Sequence, residues 1–212
     1  MRVCELFTSI QGESTFAGLP CTFVRLSGCN LRCAYCDTRY SYEEGAEMQI
    51  ADVLHRVDSA GVRLVEITGG EPLLQGEETI SLIGKLLEKS YEVLVETNGS
   101  MNIQEIDKRA TVILDMKTPD SGMSHKMDFS NLEKIKNSDE VKFVLCSRND
   151  YEWTKKLVAR YRLEERCEVL LSPAFGLLHP GELASWILDD RLRVRLNIQI
   201  HKYIFHPGER MV

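Results

Sequence analysis

Three cysteines, Cys29, Cys33 and Cys36, fall in the run Gly28-Cys29-Asn30-Leu31-Arg32-Cys33-Ala34-Tyr35-Cys36 with C-x3-C-x2-C spacing. Thiolates bind soft or borderline metals. A structural zinc site usually draws four ligands from two separated pairs. Here there is one tight trio, so zinc needs a remote partner such as Cys21 or a histidine. A four-iron cluster normally takes one thiolate per iron. Three thiolates leave one iron with an open coordination position, where a small molecule can chelate. An electron carrier is served by a filled position and an enzyme by an open one. Structural zinc, a carrier cluster and unliganded thiols stay open on the spacing alone.

The elements that must position this loop follow from periodicity. Short apolar runs at Cys21 to Ser27, Arg63 to Thr68, Tyr91 to Thr97, Thr111 to Lys117, Glu140 to Cys146 and Cys167 to Ser172 predict six strands. Between several of them lie helical patterns. Ile50 to Ala60 carries Val53, Leu54 and Val57. The run from Glu77 carries Ile80, Ile83 and Leu87, and Asp150 to Tyr161 carries Trp153, Leu157 and Tyr161. Pro180 to Asp190 reads as another helix, with Pro180 placed near its start. Strands alternating with crossovers predict a parallel sheet, which an open Rossmann-like sheet and a partly closed barrel both satisfy. In either, ligands bind at the carboxyl ends of the strands. The polar groups gather there: the cysteines, Gly69-Gly70-Glu71-Pro72, Glu96 to Ser100, Asp115 to Lys117, Ser147 to Asn149 and Ser172 to Gly176.

With 32 acidic against 26 basic residues the formal charge is -6, which argues against binding nucleic acid by phosphate neutralisation. The 43% hydrophobic content suffices for one sizeable core over residues 1–212. No apolar run reaches membrane-span length, and the start, Met1 to Ser14, shows no secretory h-region. A cytoplasmic location is expected, with no membrane partner and with thiols or metal ligands in place of disulfides. Cys4, Cys21, Cys146 and Cys167 lie in strand-like surroundings and are expected to pack as small hydrophobes.

The cysteine spacing, with Tyr35 before its last member and Gly69-Gly70-Glu71-Pro72 after the next strand, resembles the radical S-adenosylmethionine superfamily. The resemblance implies an α/β fold: a single-domain partial, open TIM-like β/α barrel of about six parallel strands with a reduced set of helices. It implies a 4Fe-4S cluster on Cys29, Cys33 and Cys36, catalytic through the cluster. S-adenosylmethionine would chelate the open iron and, on reduction, yield a 5′-deoxyadenosyl radical that abstracts a substrate hydrogen. Tyr35, Cys36 and Asp37 would lie along the cofactor, and Gly70 and Glu71 would meet its amino group. Asp115, Met116 and Lys117, with Ser172, Pro173, Ala174 and Phe175, align with further cofactor segments. Taken alone, Tyr35 is also compatible with ordinary packing and the Gly-Gly-Glu-Pro run with a plain turn.

Along most of the chain the closer likeness is to the 7-carboxy-7-deazaguanine synthase family, through Ser9-Ile10-Gln11-Gly12-Glu13, Gly18, Phe23-Val24-Arg25, Thr68, Glu96 to Ser100 and His201-Lys202-Tyr203. The implied reaction is ring contraction of a 6-carboxytetrahydropterin with loss of ammonia, in queuosine biosynthesis. The glycyl-radical activases, which act on a protein partner, are the second family with short chains of this kind. The likeness to the synthases implies substrate contacts from the backbone of Ile10, Gln11 and Gly12, from Glu13, Arg25, Thr68 and His201, and from Pro207 in a tail that closes the same rim. Without the likeness, Glu13 and Arg25 read as a surface ion pair. Some relatives end at a proline whose carboxylate meets substrate. Here five residues follow Pro207, and Glu209 or a main-chain carbonyl is left to replace that contact. Thr38, otherwise readable as a helix cap, would bind Mg2+. A flavodoxin or ferredoxin would donate the electron, and family members are often homodimers. His125 has no expected role.

Overall fold

The computed structural model describes residues 1–211. In chain order its elements are β1 (Arg2–Ile10), β2 (Pro20–Leu26), β3 (Ala46–Glu47), α1 (Ile50–Ala60), β4 (Leu64–Gly69), α2 (Glu77–Glu88), β5 (Glu92–Thr97) and β6 (Thr111–Asp115). There follow α3 (Asn131–Lys134), β7 (Glu140–Leu145), α4 (Arg148–Tyr161), β8 (Glu168–Pro173), α5 (Pro180–Asp190), β9 (Arg195–Leu196) and α6 (His201–Ile204). They form one sheet in the order β3-β1-β2-β4-β5-β6-β7-β8-β9. The six strands expected from the sequence are its parallel centre, β2 to β8. The two-residue strands β3 and β9 end the sheet without closing it, so the barrel is open.

Residue alternation decides which face does what, because successive strand side chains point to opposite sides. One series, including Val24, Leu26, Val65, Ile67, Val93, Val95, Val112, Leu114, Val141, Phe143 and Leu145, belongs to the main core, with helix residues such as Val53, Val57, Leu82, Leu86, Leu157 and Val158. Burying one such side chain contributes about 1.5–3 kcal/mol. The opposite series begins with an apolar floor of Cys21, Phe23, Leu64, Leu94 and Ile113, covered by Phe7 and Phe16. Towards the carboxyl ends the same face continues with Arg25, Glu66 and Thr68, Glu96, Asp115 and Lys142. The concave face is thus apolar below and ionic above.

Strand β1 was not among the expected elements. Its apolar alternation is broken by a register shift between Val3 and Glu5, yet it pairs antiparallel with β2, stacking Phe7 on Phe23 at 5.1 Å. Helices α1 and α5 occupy the expected residues. α1 stops at Gly61, whose φ of 68 is the left-handed cap that glycine takes without strain. α5 starts on Pro180, with the His179 ring accepting from the Gly181 amide. Two helix faces are rotated from expectation. On α2 the buried apolar residues are Leu82, Ile83 and Leu86, with Ile80 and Leu87 at the margin. On α4 they are Tyr151, Leu157 and Val158, with Trp153 and Tyr161 at the margin. The helix complement is reduced. No helix forms between β5 and β6, and between β6 and β7 there are two 3-10 turns and the four-residue α3.

Candidate active site

A cavity of about 360 Å³ opens at the carboxyl ends of β2, β4, β5, β6, β7 and β8. The cysteine loop forms one wall, with Cys29, Cys33 and Cys36 all lining the cavity. The loop is held by its own backbone. The Gly28 amide donates to Ser41 O (2.8 Å), Ala34 to Ser121 O (3.0 Å) and Cys36 to Cys33 O (3.2 Å). Arg32 clasps the Cys29 and Leu31 carbonyls at 2.8 and 2.7 Å, and Arg39 the Ala34 carbonyl at 2.7 Å. Gly70 is pressed against the root of the loop: a Cβ there would lie 2.1 Å from Gly28 O and 2.7 Å from Cys29 Cβ. Only glycine permits that approach.

The donor set fits a four-iron cluster. Among the described residues no three His, Cys, Asp or Glu side chains converge closely enough to hold a single metal ion. The three thiols all line one cavity, where a larger group could take them as ligands. Burial pushes the Cys29 thiol up and Cys33 up to about 11, with the Lys117 ammonium pulling the other way. Thiols in this state become ligands when a cationic group displaces their protons. Next to them the Tyr35 hydroxyl and Asp115 Oδ1 are buried without a hydrogen-bond partner. Lys117 joins the two, 2.8 Å from Asp115 Oδ2 and 5.9 Å from the Tyr35 ring centroid. Unsatisfied buried polar atoms are costly, and here they mark a place for a polar ligand. The residues present therefore suit both the cluster and a nucleoside-bearing cofactor.

Opposite the cysteines lies an ionic floor. The Lys142 ammonium is 2.8 Å from Glu13 Oε2 and 3.5 Å from Asp115 Oδ2, and it also bonds Glu96. Burial alone would raise the Glu13 carboxyl, but Lys142 and Gln199 together hold it well below the usual carboxylate range. Burial opposes the Lys142 charge, and its carboxylate partners outweigh that, keeping it protonated far above the ordinary lysine range. Burial, reinforced by Glu96, pushes the Glu66 carboxyl well above the usual carboxylate range, and it bonds the Gln11 amide. The His201 imidazole is held neutral, with burial the main cause, and lies against Gly12, where a Cβ would come within 2.0 Å of its Nδ1.

Of the residues singled out from the sequence, this cavity brings together Glu13, Arg25, Tyr35, Cys36, Asp37, Thr38, Thr68, Gly70, Asp115, Lys117, Ala174, Phe175, His201 and Pro207. Others stand elsewhere. The Glu71 carboxylate, expected at an amino group of the cofactor, is fully buried and accepts from Leu73 N, Thr97 Oγ1 and Asn98 N at 3.0, 2.8 and 2.7 Å. It fastens the ends of β4 and β5 together. Met116 is core, Ser172 Oγ accepts from Asn197, and Pro173 faces a separate groove. Ile10, Gln11 and Gly12 line a smaller cavity of about 80 Å³ beneath Glu13. There the Gln11 amide and carbonyl and the Gly12 carbonyl are engaged by Leu19, Gly18 and Ile200. These groups shape the loop that carries Glu13. Glu13 and Arg25 do not pair with each other; Arg25 Nε donates to Glu5 at 2.9 Å. Thr38 stands at the cap position of a 3-10 turn without a capping bond, its hydroxyl donating to Asp37 at 2.9 Å. Beyond Pro207, Arg210 turns back to Glu5 and Glu44, and Glu209 remains exposed. Cys21 is fully buried and Cys4, Cys146 and Cys167 half-buried, all as free thiols.

Sequence reasoning missed Lys142, Gln199 and Lys202, and placed Glu96 on the rim without giving it a contact. A signal existed: Glu66, Glu96 and Lys142 interrupt strands that a doubly covered parallel sheet would fill with apolar residues.

The radical SAM superfamily profile matches residues 23–182. A 7-carboxy-7-deazaguanine synthase of Chlorobaculum tepidum is 43% identical over 215 residues, covering 100% of this chain and 97% of its own. One of Koribacter versatilis is 39% identical over 226 residues, with both chains covered at 100%. The crystal structure of QueE from Escherichia coli has the same fold, with a TM-score of 0.78 over 93% of each chain at 23% identity.

Proposed function

The chain belongs to the radical SAM superfamily and, within it, to the 7-carboxy-7-deazaguanine synthase family, and from that premise we propose how its residues serve the family's reaction. The enzyme converts 6-carboxy-5,6,7,8-tetrahydropterin to 7-carboxy-7-deazaguanine with release of ammonia, a radical ring contraction in 7-deazapurine (queuosine) biosynthesis that uses S-adenosylmethionine catalytically. The observation that carries the reading to this chain is that one cavity is lined both by the three thiols and by a half-buried carboxylate pair, Glu13 and Glu96, held by Lys142.

Cys29, Cys33 and Cys36 would hold a 4Fe-4S cluster, with Tyr35, Gly70, Asp115 and Lys117 placed along S-adenosylmethionine. Bound there, the cluster and its ligand supply a one-electron cleavage that generates the hydrogen-abstracting radical. The chain's own groups bind and orient. Glu13, ionised by Lys142, accepts from the N–H groups of the pterin's aminopyrimidine ring. Arg25 has its Nε on Glu5, and its terminal nitrogens remain to pair with the substrate carboxylate. The neutral His201 and the Thr68 hydroxyl border the same space, and burial of the floor excludes water from a reactive intermediate.

Thr38 and Asp37 offer hard oxygens on the same rim, which supports Mg2+ there, completed by waters and the substrate carboxylate. A reduced flavodoxin or ferredoxin is the proposed donor. A homodimer is supported by Phe175, Leu177, Tyr203 and Ile204, all exposed around one groove or beside it. No helix among the described residues is long and apolar enough to cross a membrane, and a cytoplasmic location is proposed.

Incubating the anaerobically reconstituted protein with the tetrahydropterin, S-adenosylmethionine, Mg2+ and reductant should yield the deazapurine. An intact cluster without that product would contradict the assignment. Full-length identity to the synthases sets aside the glycyl-radical activase reading.

A further inference from the structure

Lys142 belongs to no motif, yet it organises the floor of the cavity. It sits within β7, almost wholly buried, and its ammonium meets carboxylates from three separate places: Glu13 in the β1–β2 loop, Glu96 at the end of β5 and Asp115 at the end of β6. Its hydrogens bond Glu13 and Glu96, and Asp115 stands at ion-pair distance, 3.5 Å away. Two of the three carboxylates are fixed from their other side as well. Glu13 Oε1 accepts from Gln199 Nε2 at 2.7 Å, and Glu96 Oε2 from Thr68 Oγ1 at 3.0 Å. Their rotation is thereby set.

Without the cation these carboxylates would lie together with no counter-charge between them, and burial would raise the Glu13 carboxyl. A protonated carboxyl turns one acceptor oxygen into a donor, the wrong partner for an N–H edge. Building on the pterin reading of this cavity, we propose that Lys142 is a positioning residue for substrate recognition. It holds Glu13 and Glu96 side by side as hydrogen-bond acceptors, so that the cavity takes a 2-amino-4-oxopyrimidine ring and rejects one with an oxo group at position 2. A ring carbonyl at that position would point its lone pairs at a carboxylate.

The other charged or titratable groups around this pair are Arg25 on β2, Glu66 on β4, Lys117 bound to Asp115, and His201 and Lys202 on α6. None bonds both carboxylates. Lys202 is paired with Asp37 at 2.5 Å, and Arg25 with Glu5 at 2.9 Å.

The test measures fluorescence titrations of 6-carboxypterin, the aromatic unreactive analogue, and of 6-carboxylumazine, its 2-oxo counterpart. The proteins are the cluster-loaded wild type, Lys142→Arg, Lys142→Met and the charge-balanced double variant Lys142→Met with Glu96→Gln. The double variant carries the test if Lys142→Met alone does not fold. Both Met variants should bind 6-carboxypterin at least about tenfold more weakly near neutral pH, recover as alkali ionises Glu13, and discriminate less against 6-carboxylumazine. Lys142→Arg should stay close to wild type. Iron content and S-adenosylmethionine binding should be unchanged throughout. Pterin binding within about twofold of wild type in the double variant would overturn the proposal. So would an equal, pH-independent loss of both ligands. Wild-type turnover of the tetrahydropterin, measured in the same preparations, keeps a failure of the pterin reading distinct.

Discussion

Cys33 is the most enclosed of the three thiols proposed to hold the cluster, and its replacement isolates what the trio does. Cys33→Ser should keep the fold, since the loop is fastened by backbone bonds and by Arg32 and Arg39, but lose iron and take product formation to background. Iron and sulfide analysis beside far-ultraviolet circular dichroism checks this. Thr38→Ala removes a proposed Mg2+ ligand while leaving its 3-10 turn intact, because that turn has no side-chain cap to lose. A Mg2+ titration of activity should shift to higher concentration by about 10–100-fold, the range typical even of groups that only support a ligand. Glu66 gives a stability prediction whose sign follows from burial. Burial holds its carboxyl protonated to higher pH in the folded chain, whereas an unfolded glutamate ionises above about pH 4.3. Above that pH the folded state binds the extra proton, so this residue's contribution declines as pH rises towards its folded value. Glu66→Gln keeps the partner for Gln11 and needs no proton. Its melting temperature should exceed wild type at pH 8 and converge with it near pH 4, each ~1 kcal/mol appearing as about 2–4 °C in a chain of this size.

Between residues and fold stand the loop roots, and Gly70 is the sharpest case. Its missing Cβ lets the end of β4 lie on the Gly28 carbonyl, which sets where the cysteine loop begins. Gly70→Ala should push that root outward at a cost of about 1–3 kcal/mol, as overpacking does, and lower the cluster content of the purified protein. Urea unfolding and iron analysis, read together, check both halves. At this scale the sequence was legible where one signal sufficed. Ile50 to Ala60 and Pro180 to Asp190 fold as helices over those residues, each with a terminal marker, Gly61 or Pro180. The buried faces of α2 and α4 were read in part: Ile83 and Leu157 are core and the other expected residues pack at its margin, because both helices carry apolar residues around more than one side. β1 was missed because a register shift interrupts its alternation, and β9 because two residues carry no period.

For the whole molecule, the parallel sheet and the rim that carries the site were readable, because crossovers force strand direction and strand ends collect polar loops. The open barrel came only from family likeness. Closure depends on how the terminal strands pair, and β3 and β9 are two residues each. The cysteine wall was legible because its three thiols are local, within one loop. The ionic floor was not. Lys142 and Glu13 are 129 positions apart and meet only once β1–β2 and β7 face each other across the concave side. The central claim is that both walls serve one reaction, in which S-adenosylmethionine returns after each ring contraction. The direct measurement is the ratio of deazapurine formed to S-adenosylmethionine lost during anaerobic turnover. Many products per cofactor molecule are predicted. One 5′-deoxyadenosine released for every product, or cofactor cleavage with no deazapurine, would contradict it.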